Sequence, residues 1–250
     1  MRPSDFYTGI VADLYGPLKR FAADPDPYEE FVRQVGGPAL ELGCGDGDPL
    51  IELRRRGVDV EGVDSSADMV RRCRARAEAA GVGVVVHHQR MEELDLPRRY
   101  GAVFLAGPTF TLLADDAAAL AALRGVRAHL VPGGQALVPL FVPEPTPREQ
   151  IGRVRETTVA DGAVLGVSVR SQERDEAART HTSVLRYERR RGAERTVEER
   201  AWVVHWYTRA GFEALAAQAG LGVVSVSGPG GGLAGPEETE VRLRLRLRAL

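Results

Sequence analysis

One stretch constrains this chain more than any other: a short apolar run at 39–42 closes on Glu41-Leu42-Gly43-Cys44-Gly45-Asp46-Gly47 and passes into a helical pattern. Glycines at such a junction allow positive φ and leave no Cβ in the way of an approaching ligand. The helix that follows adds aimed N–H groups at its N-terminus. Further short apolar runs at 58–63, 82–88, 102–106 and 135–142 read as strands. They alternate with helical stretches at 49–56, 66–80 and 115–130. The first of these helices is expected to take Asp48 as N-cap with Pro49 at its first position, and the second to close at Gly81. Pro132-Gly133-Gly134 reads as a turn into the strand at 135–142. Strands separated by helices predict a parallel sheet covered on both faces, with right-handed crossovers and a ligand crevice at the strands' carboxyl ends.

The pattern changes after Pro143, where Pro143-Glu144-Pro145-Thr146-Pro147 breaks it. Three alternating stretches, 164–172, 180–189 and 196–206, predict an antiparallel meander. A helix at 208–219 and a strand at 222–226 return the chain to the main sheet. A Gly-rich run at 228–235 reads as a hairpin connection, and a strand at 241–247 ends the chain. Its run Arg242-Leu243-Arg244-Leu245-Arg246-Leu247-Arg248 has period two, so the leucines face one side and the arginines the solvent. At the other end, 5–34 looks helical and amphipathic, broken at Gly16-Pro17 and at Asp24-Pro25-Asp26-Pro27.

Composition limits the partners. Hydrophobic residues make up 44% and charged residues 27%, and the formal net charge is −2, so nothing global draws the chain to nucleic acid or an anionic membrane. Cys44 and Cys73 make no disulfide framework, no signal-peptide core opens the sequence, and no apolar run reaches membrane-spanning length. A cytoplasmic protein is the expectation. Lys19 is the sole lysine.

The ligand of the loop is narrowed by two acids. A dinucleotide fingerprint needs a third glycine where Asp48 stands, and a P-loop needs Gly-Lys-Ser/Thr, which is missing. Asp64 ends the second strand, where a carboxylate can accept from both hydroxyls of a ribose. Here the sequence resembles the class I S-adenosylmethionine-dependent methyltransferases. Glu41 to Gly47 is similar to their first motif and Asp64 to their second. The stretch Gln89-Arg90-Met91-Glu92-Glu93-Leu94 is similar to their adenine-contacting segment, and Leu130-Val131-Pro132-Gly133-Gly134 to the turn before their fifth strand.

The resemblance implies an α/β fold: a Rossmann-like, seven-stranded, mainly parallel sheet with helices on both faces and one antiparallel strand near its C-terminal edge. An N-terminal helical cap and an antiparallel β insertion complete it. The corresponding division is 1–36 for the cap, 37–143 with 207–250 for the cofactor-binding core, and 144–206 for the lid. It implies S-adenosylmethionine as cofactor and S-adenosylhomocysteine as product. Gly43, Cys44 and Gly45 would line the methionine part, and Glu41 would orient the loop or the amino group. Asp64 would hold the ribose with Ser65 beside it. Met69 and Met91 would meet the adenine, with Leu105 and Ala106 close by. Arg90 departs from the pattern: the family often places Asp or Asn there, and a guanidinium cannot accept from the adenine amino group.

Methyl transfer from a sulfonium is an in-line displacement, so position, desolvation and a deprotonated nucleophile carry it. A neutral amine needs little more, whereas a hydroxyl or carbon acid usually needs a base. The segment Gly107-Pro108-Thr109-Phe110-Thr111 lacks the motif of DNA-base methyltransferases, and Phe110 is a candidate pocket wall. Tyr7 and Tyr15 share a helix face if the helix is continuous, and either anchor it or cap the site, where aromatic faces attract cations. His181 is the candidate base. No histidine array has metal-ligand spacing. Trp206-Tyr207-Thr208 before a helix is similar to small-molecule N-methyltransferases acting on glycine and amino sugars. The expected reaction is therefore methylation of an amine on a small metabolite in natural-product biosynthesis. An O-methyltransferase, a nicotinamide-dependent oxidoreductase and a non-catalytic adenosyl-binding module are the alternatives. Lid strands leave self-association open.

Overall fold

The computed structural model describes residues 5–19, 23–228 and 240–247. Residues 229–235 of the Gly-rich run and Arg248 of the arginine run lie outside them.

Strand β1 (Ala39–Leu42) is buried along its whole length, as befits a central parallel strand covered on both faces. It pairs in parallel with β2 (Val60–Asp64) on one side and β4 (Tyr100–Phe104) on the other. β3 (Val86–His88) extends the sheet beyond β2, and β5 (Leu130–Phe141) beyond β4. β10 (Leu221–Ser227) and β11 (Glu240–Leu247) complete seven strands in the order β10-β11-β5-β4-β1-β2-β3. β11 runs antiparallel to both neighbours, as expected. Leu243 and Leu245 are fully buried while Arg244 and Arg246 lie on the other face, following the period-two pattern.

The helices start where side chains can cap them. Ser66 accepts from the Met69 N–H at the start of α4 (Ala67–Ala79). Asp115 does the same for α5 (Asp116–His129), and Thr208 for α6 (Arg209–Gln218). α3 (Leu50–Arg55) differs from expectation. Pro49 stands at its N-cap and the Asp48 side chain caps nothing, because its carboxylate is held by Lys19 and the Ala23 N–H.

Other boundaries also moved. α1 (Ile10–Leu18) runs through Gly16-Pro17, which falls in its last turn, and α2 (Asp26–Val35) follows. Tyr7 therefore precedes α1 and is not on it. β3 is shorter than the apolar run at 82–88. Pro132-Gly133-Gly134 lies inside β5, at an irregularity where the pairing moves from Tyr100↔Leu130 to Ala102↔Gln135.

The insertion forms a second, four-stranded antiparallel sheet. Three strands match the expected meander: β7 (Val164–Asp175), β8 (Thr180–Arg191) and β9 (Glu194–His205). β6 (Arg155–Thr158), exposed and too short for an alternating signature, was not anticipated. The N-terminal segment packs on this sheet, with Phe6, Val11 and Leu14 against Leu165 and Tyr187. No helix among the described residues is long and apolar enough to cross a membrane.

Candidate functional site

The carboxyl ends of β1, β2 and β4 open into a cavity of about 350 Å³, within the range of small-molecule sites. Its floor is the glycine loop. Gly43 sits at φ +70°, and a Cβ there would lie 2.5 Å from Thr109 Cγ2, so only glycine fits. The Gly43 and Cys44 N–H groups both donate to the Val63 carbonyl, at 2.7 and 3.0 Å, which ties the loop to β2. Asp64 adds the next restraint. One of its carboxylate oxygens accepts from the Gly45 N–H and the other from the Ser66 N–H, each at 2.8 Å. Each oxygen keeps a lone pair for a ligand. Burial raises the Asp64 carboxyl above its ordinary range, and these two hydrogen bonds hold the rise down.

Glu41 is the unusual group. It is fully buried, and neither carboxylate oxygen has a partner among the described residues. Burial pushes its pKa well above the ordinary carboxylate value. A buried carboxylate left unpaired is costly, so this position is suited to a cation arriving from outside the chain.

The N-terminal segment closes the cavity. Ser66 Oγ donates to the Tyr7 carbonyl at 2.5 Å, and the Gly9 N–H donates to Asp68 at 2.7 Å. Asp13 pairs with Arg72 of α4. Lys19 pairs with Asp48 at 2.7 Å, just beyond the loop. The Tyr7 and Tyr15 rings meet edge to face at 5.5 Å. Burial raises both phenols, Tyr15 to about 12. Trp202, on β9, completes the wall; its buried indole N–H has no well-aligned acceptor among the described residues and lies beside Tyr7.

Eleven of the residues singled out in the sequence line the cavity together: Tyr7, Tyr15, Glu41, Gly43, Cys44, Gly45, Asp64, Ser65, Met69, Met91 and Ala106. Four do not. Phe110 turns away from it into the main core, 5.5 Å from the Tyr207 ring and 5.3 Å from Phe212. That packing follows from the one-turn helix Pro108–Leu112, which presents Thr109 and Thr111 to the cavity instead. Leu105 is buried in the same core. Arg90 is drawn to Asp5 and Glu92, and it does not line the cavity. His181 lies within the lid sheet. Its Nε2 is 3.2 Å from Ser183 Oγ, its Nδ1 is unpartnered among the described residues, and burial with nearby Arg174 lowers its pKa. Sequence reasoning passed over Lys19, Thr109 and Trp202. The sole lysine of the chain was a compositional signal for the first, and the aromatic density of β9 for the last.

The likenesses to known proteins agree with this geometry. The family described as a methyltransferase domain matches residues 39–134, from β1 into β5. An N,N-dimethyltransferase of Streptomyces fradiae named for dTDP-3-amino-3,6-dideoxy-alpha-D-glucopyranose is 32% identical over 237 residues, covering 90% of this chain and 89% of that protein. The chain is an S-adenosylmethionine-dependent methyltransferase. A Streptomyces venezuelae N,N-dimethyltransferase named for dTDP-3-amino-3,4,6-trideoxy-alpha-D-glucopyranose is 29% identical, covering 69% of this chain and 68% of that protein. Among solved structures, the CcbJ methyltransferase of Streptomyces caelestis superposes with a TM-score of 0.75 at 25% identity, over 98% of this chain and 99% of that one. The residues of the methyltransferase's cavity suit its cofactor: a loop that a Cβ would block, an acid at the end of β2 with lone pairs to spare, and an unpartnered buried carboxylate for a cationic group.

Proposed function

We propose that this methyltransferase acts on an amino group of a small natural-product intermediate, with an amino sugar as the acceptor class. The observation that carries this reading is the wall facing the loop. It is built from Tyr7, Tyr15 and Trp202, and no histidine lines the cavity among the described residues. Burial raises both tyrosine phenols, so neither is a base at neutral pH. A free amine brings its own lone pair and needs position and dryness more than a base, and aromatic faces attract its cationic form before it loses a proton. The relatives named for aminodeoxy sugars support the same acceptor class.

S-adenosylmethionine, when bound, supplies a methyl group activated on a sulfonium. The chain's own residues do the rest. The Gly43–Cys44–Gly45 backbone lets the ligand lie close, Asp64 accepts from ribose hydroxyls with Ser65 alongside, and Glu41 receives the amino group. Met69 and Met91 flank the base, and Ala106 keeps the wall of the cavity shallow. Residues 1–36 act as a cap and 144–206 as a lid, excluding water from the two reacting atoms; 37–143 and 207–250 make up the cofactor core. Phe110, Leu105, Arg90 and His181 take no part in this assignment.

The test is a mass-spectrometric assay of the purified chain with S-adenosylmethionine against paired acceptors, amines and phenols on matched scaffolds. Methyl and dimethyl amines are the expected products. Phenol methylation with no amine product would replace this reading with an O-methyltransferase.

A further inference from the structure

The chain leaves the main sheet after β5 and returns to it between β9 and α6, so it crosses to and from the second sheet at 143–146 and at 205–208. One hairpin end, where β7 turns into β8, grips both crossings. The Gln172 side chain accepts from the Thr146 N–H and donates to the Thr146 carbonyl, each at 2.7 Å. Arg174 touches both crossings. Its Nη1 donates to the Pro143 carbonyl at 2.5 Å, and its guanidinium lies 4.0 Å from the centre of the buried Trp206 ring. Its Nε faces the exposed Glu176 of the same turn. Arg179 holds the second crossing. Its carbonyl accepts from the Trp206 N–H at 2.9 Å. Its guanidinium pairs with Asp116 at the start of α5, at 2.6 Å, and stands 5.7 Å from the centre of the Tyr207 ring.

Arg179 is the one non-glycine residue with positive φ among the described residues, at 53°. Glycine takes that backbone without strain, so the turn itself does not call for arginine. What arginine adds is the guanidinium. A partly exposed ion pair alone contributes little, but a planar cation packed on a buried ring and bonded to a second segment is a directional tie.

Two walls of the cavity at the glycine loop depend on this second crossing. Trp202 lies on β9 just before His205. Tyr207, hydrogen-bonded to His205 Nδ1 at 2.8 Å, packs on Phe110 at 5.5 Å, and Phe110 anchors the one-turn helix that turns Thr109 to the cavity. The cofactor end is held differently. Gly43, Cys44 and Gly45 are tied to Val63 and Asp64 of β2 with no help from the second sheet. A small tilt of the second sheet therefore changes the spacing between Trp202 and Thr109 and leaves the glycine loop in place. An in-line transfer is sensitive to such a displacement.

We propose that Arg174 and Arg179 are positioning residues for methyl transfer: they clasp the two crossings and so fix the spacing between the Trp202 and Thr109 walls of the cavity. The inference rests on that cavity being the site of transfer, and Gly43→Val, read by cofactor affinity, tests the cavity separately from the clasp. It does not depend on which acceptor class is methylated.

The experiment measures kcat and acceptor KM for the full chain with saturating S-adenosylmethionine, using the amine or phenol of the panel above that the parent methylates fastest. Cofactor Kd is measured alongside by calorimetry. Arg174→Met and Arg179→Gly are each expected to lower kcat/KM about tenfold or more, with the cofactor Kd within twofold of the parent. Arg179→Gly is the sharper variant, because it relieves the backbone while removing the tie. Values of kcat/KM within threefold of the parent in both variants overturn the proposal. So does a fall matched by an equal loss of cofactor affinity, which would mark a general loosening of the fold. Arg189→Gln breaks an exposed pair with Asp161 elsewhere on the same sheet and should stay within twofold; a tenfold loss there also overturns the clasp. Should either variant not fold, Arg174→Lys and Arg179→Lys carry the same test. They keep the charge and lose the planar fork, so kcat/KM should fall at least threefold at unchanged cofactor Kd, and parental values overturn the proposal.

Discussion

The two ends of the active cavity are built by different means. The cofactor end is made of backbone and short acids fixed by hydrogen bonds: Gly43 and Gly45 in left-handed conformations, Asp64 bonded to two N–H groups, Glu41 sunk beneath them. The other end is lined by bulky side chains from distant segments: Tyr7 and Tyr15 from the N-terminal segment, Val167 and Val169 from β7, Leu185 from β8 and Trp202 from β9. The first end has almost no tolerance, because a single added carbon meets Thr109. The second mixes aromatic and aliphatic side chains with polar and charged ones such as Gln150, Arg153 and Ser168, and its shape can change by exchanging side chains while the sheet beneath stays the same. A common cofactor with diverse acceptors calls for this division.

The comparison breaks first at Gly43. Gly43→Val adds about 1–2 kcal/mol for a side chain in left-handed backbone and about 1–3 kcal/mol of overpacking. Calorimetry should then show cofactor affinity reduced about a hundredfold, with the same loss in kcat/KM. An affinity within threefold of the parent would mean that the loop is not the binding floor. Asp64→Ala should follow. It removes a charged acceptor from two backbone N–H groups, each such bond being worth about 1.5–3 kcal/mol, and cofactor Kd should rise about tenfold to a hundredfold. Asp64→Asn should lie between, since its amide keeps one acceptor atom.

Glu41 sharpens the comparison through pH. Its carboxyl is raised in the folded chain, so the neutral form is favoured there, and stability falls as pH rises through the raised pKa. A cationic ligand favours the ionised form. Binding below that pKa should release a proton, and affinity should climb with pH until Glu41 is fully ionised. Glu41→Gln should flatten that rise and abolish the proton release, measured by calorimetry in buffers of different ionisation heat. A pH dependence unchanged in this variant would remove Glu41 from the cofactor's surroundings.

The smallest expected effect is at His181, which the structure keeps within the lid sheet. A general base contributes about a hundredfold or more, whereas His181→Gln should leave kcat within about twofold at temperatures where the variant remains folded. A loss of two orders of magnitude with a changed pH–rate profile would restore it as the base.

Local pattern carried the cofactor end. The β1 loop, the acid closing β2 and the segment after β3 each signal themselves within a few residues, because a ligand approaching backbone demands glycine and a strand end places its acid at a set position. The same locality made the parallel strand–helix alternation and the two faces of β11 legible, while the antiparallel direction of that strand came from the family resemblance. It failed where neighbours in space decide. Asp48 reads as a helix cap until Lys19 takes its carboxylate. Phe110 reads as a pocket wall until the one-turn helix swings it between Tyr207 and Phe212. Tyr7 and Tyr15 meet although α1 begins after Tyr7, since Ser66 holds the Tyr7 carbonyl in place.

By itself, then, the sequence determined a Rossmann-like sheet with an adenosyl site at its carboxyl edge, because those features depend on conformations and charges encoded within a few residues of one another. Only the tertiary structure decided which side chains stand across the cavity from the glycine loop. That surface is assembled from the N-terminal segment and from β7, β8 and β9 of the second sheet, and which way each side chain turns depends on packing between segments more than a hundred residues apart in the chain.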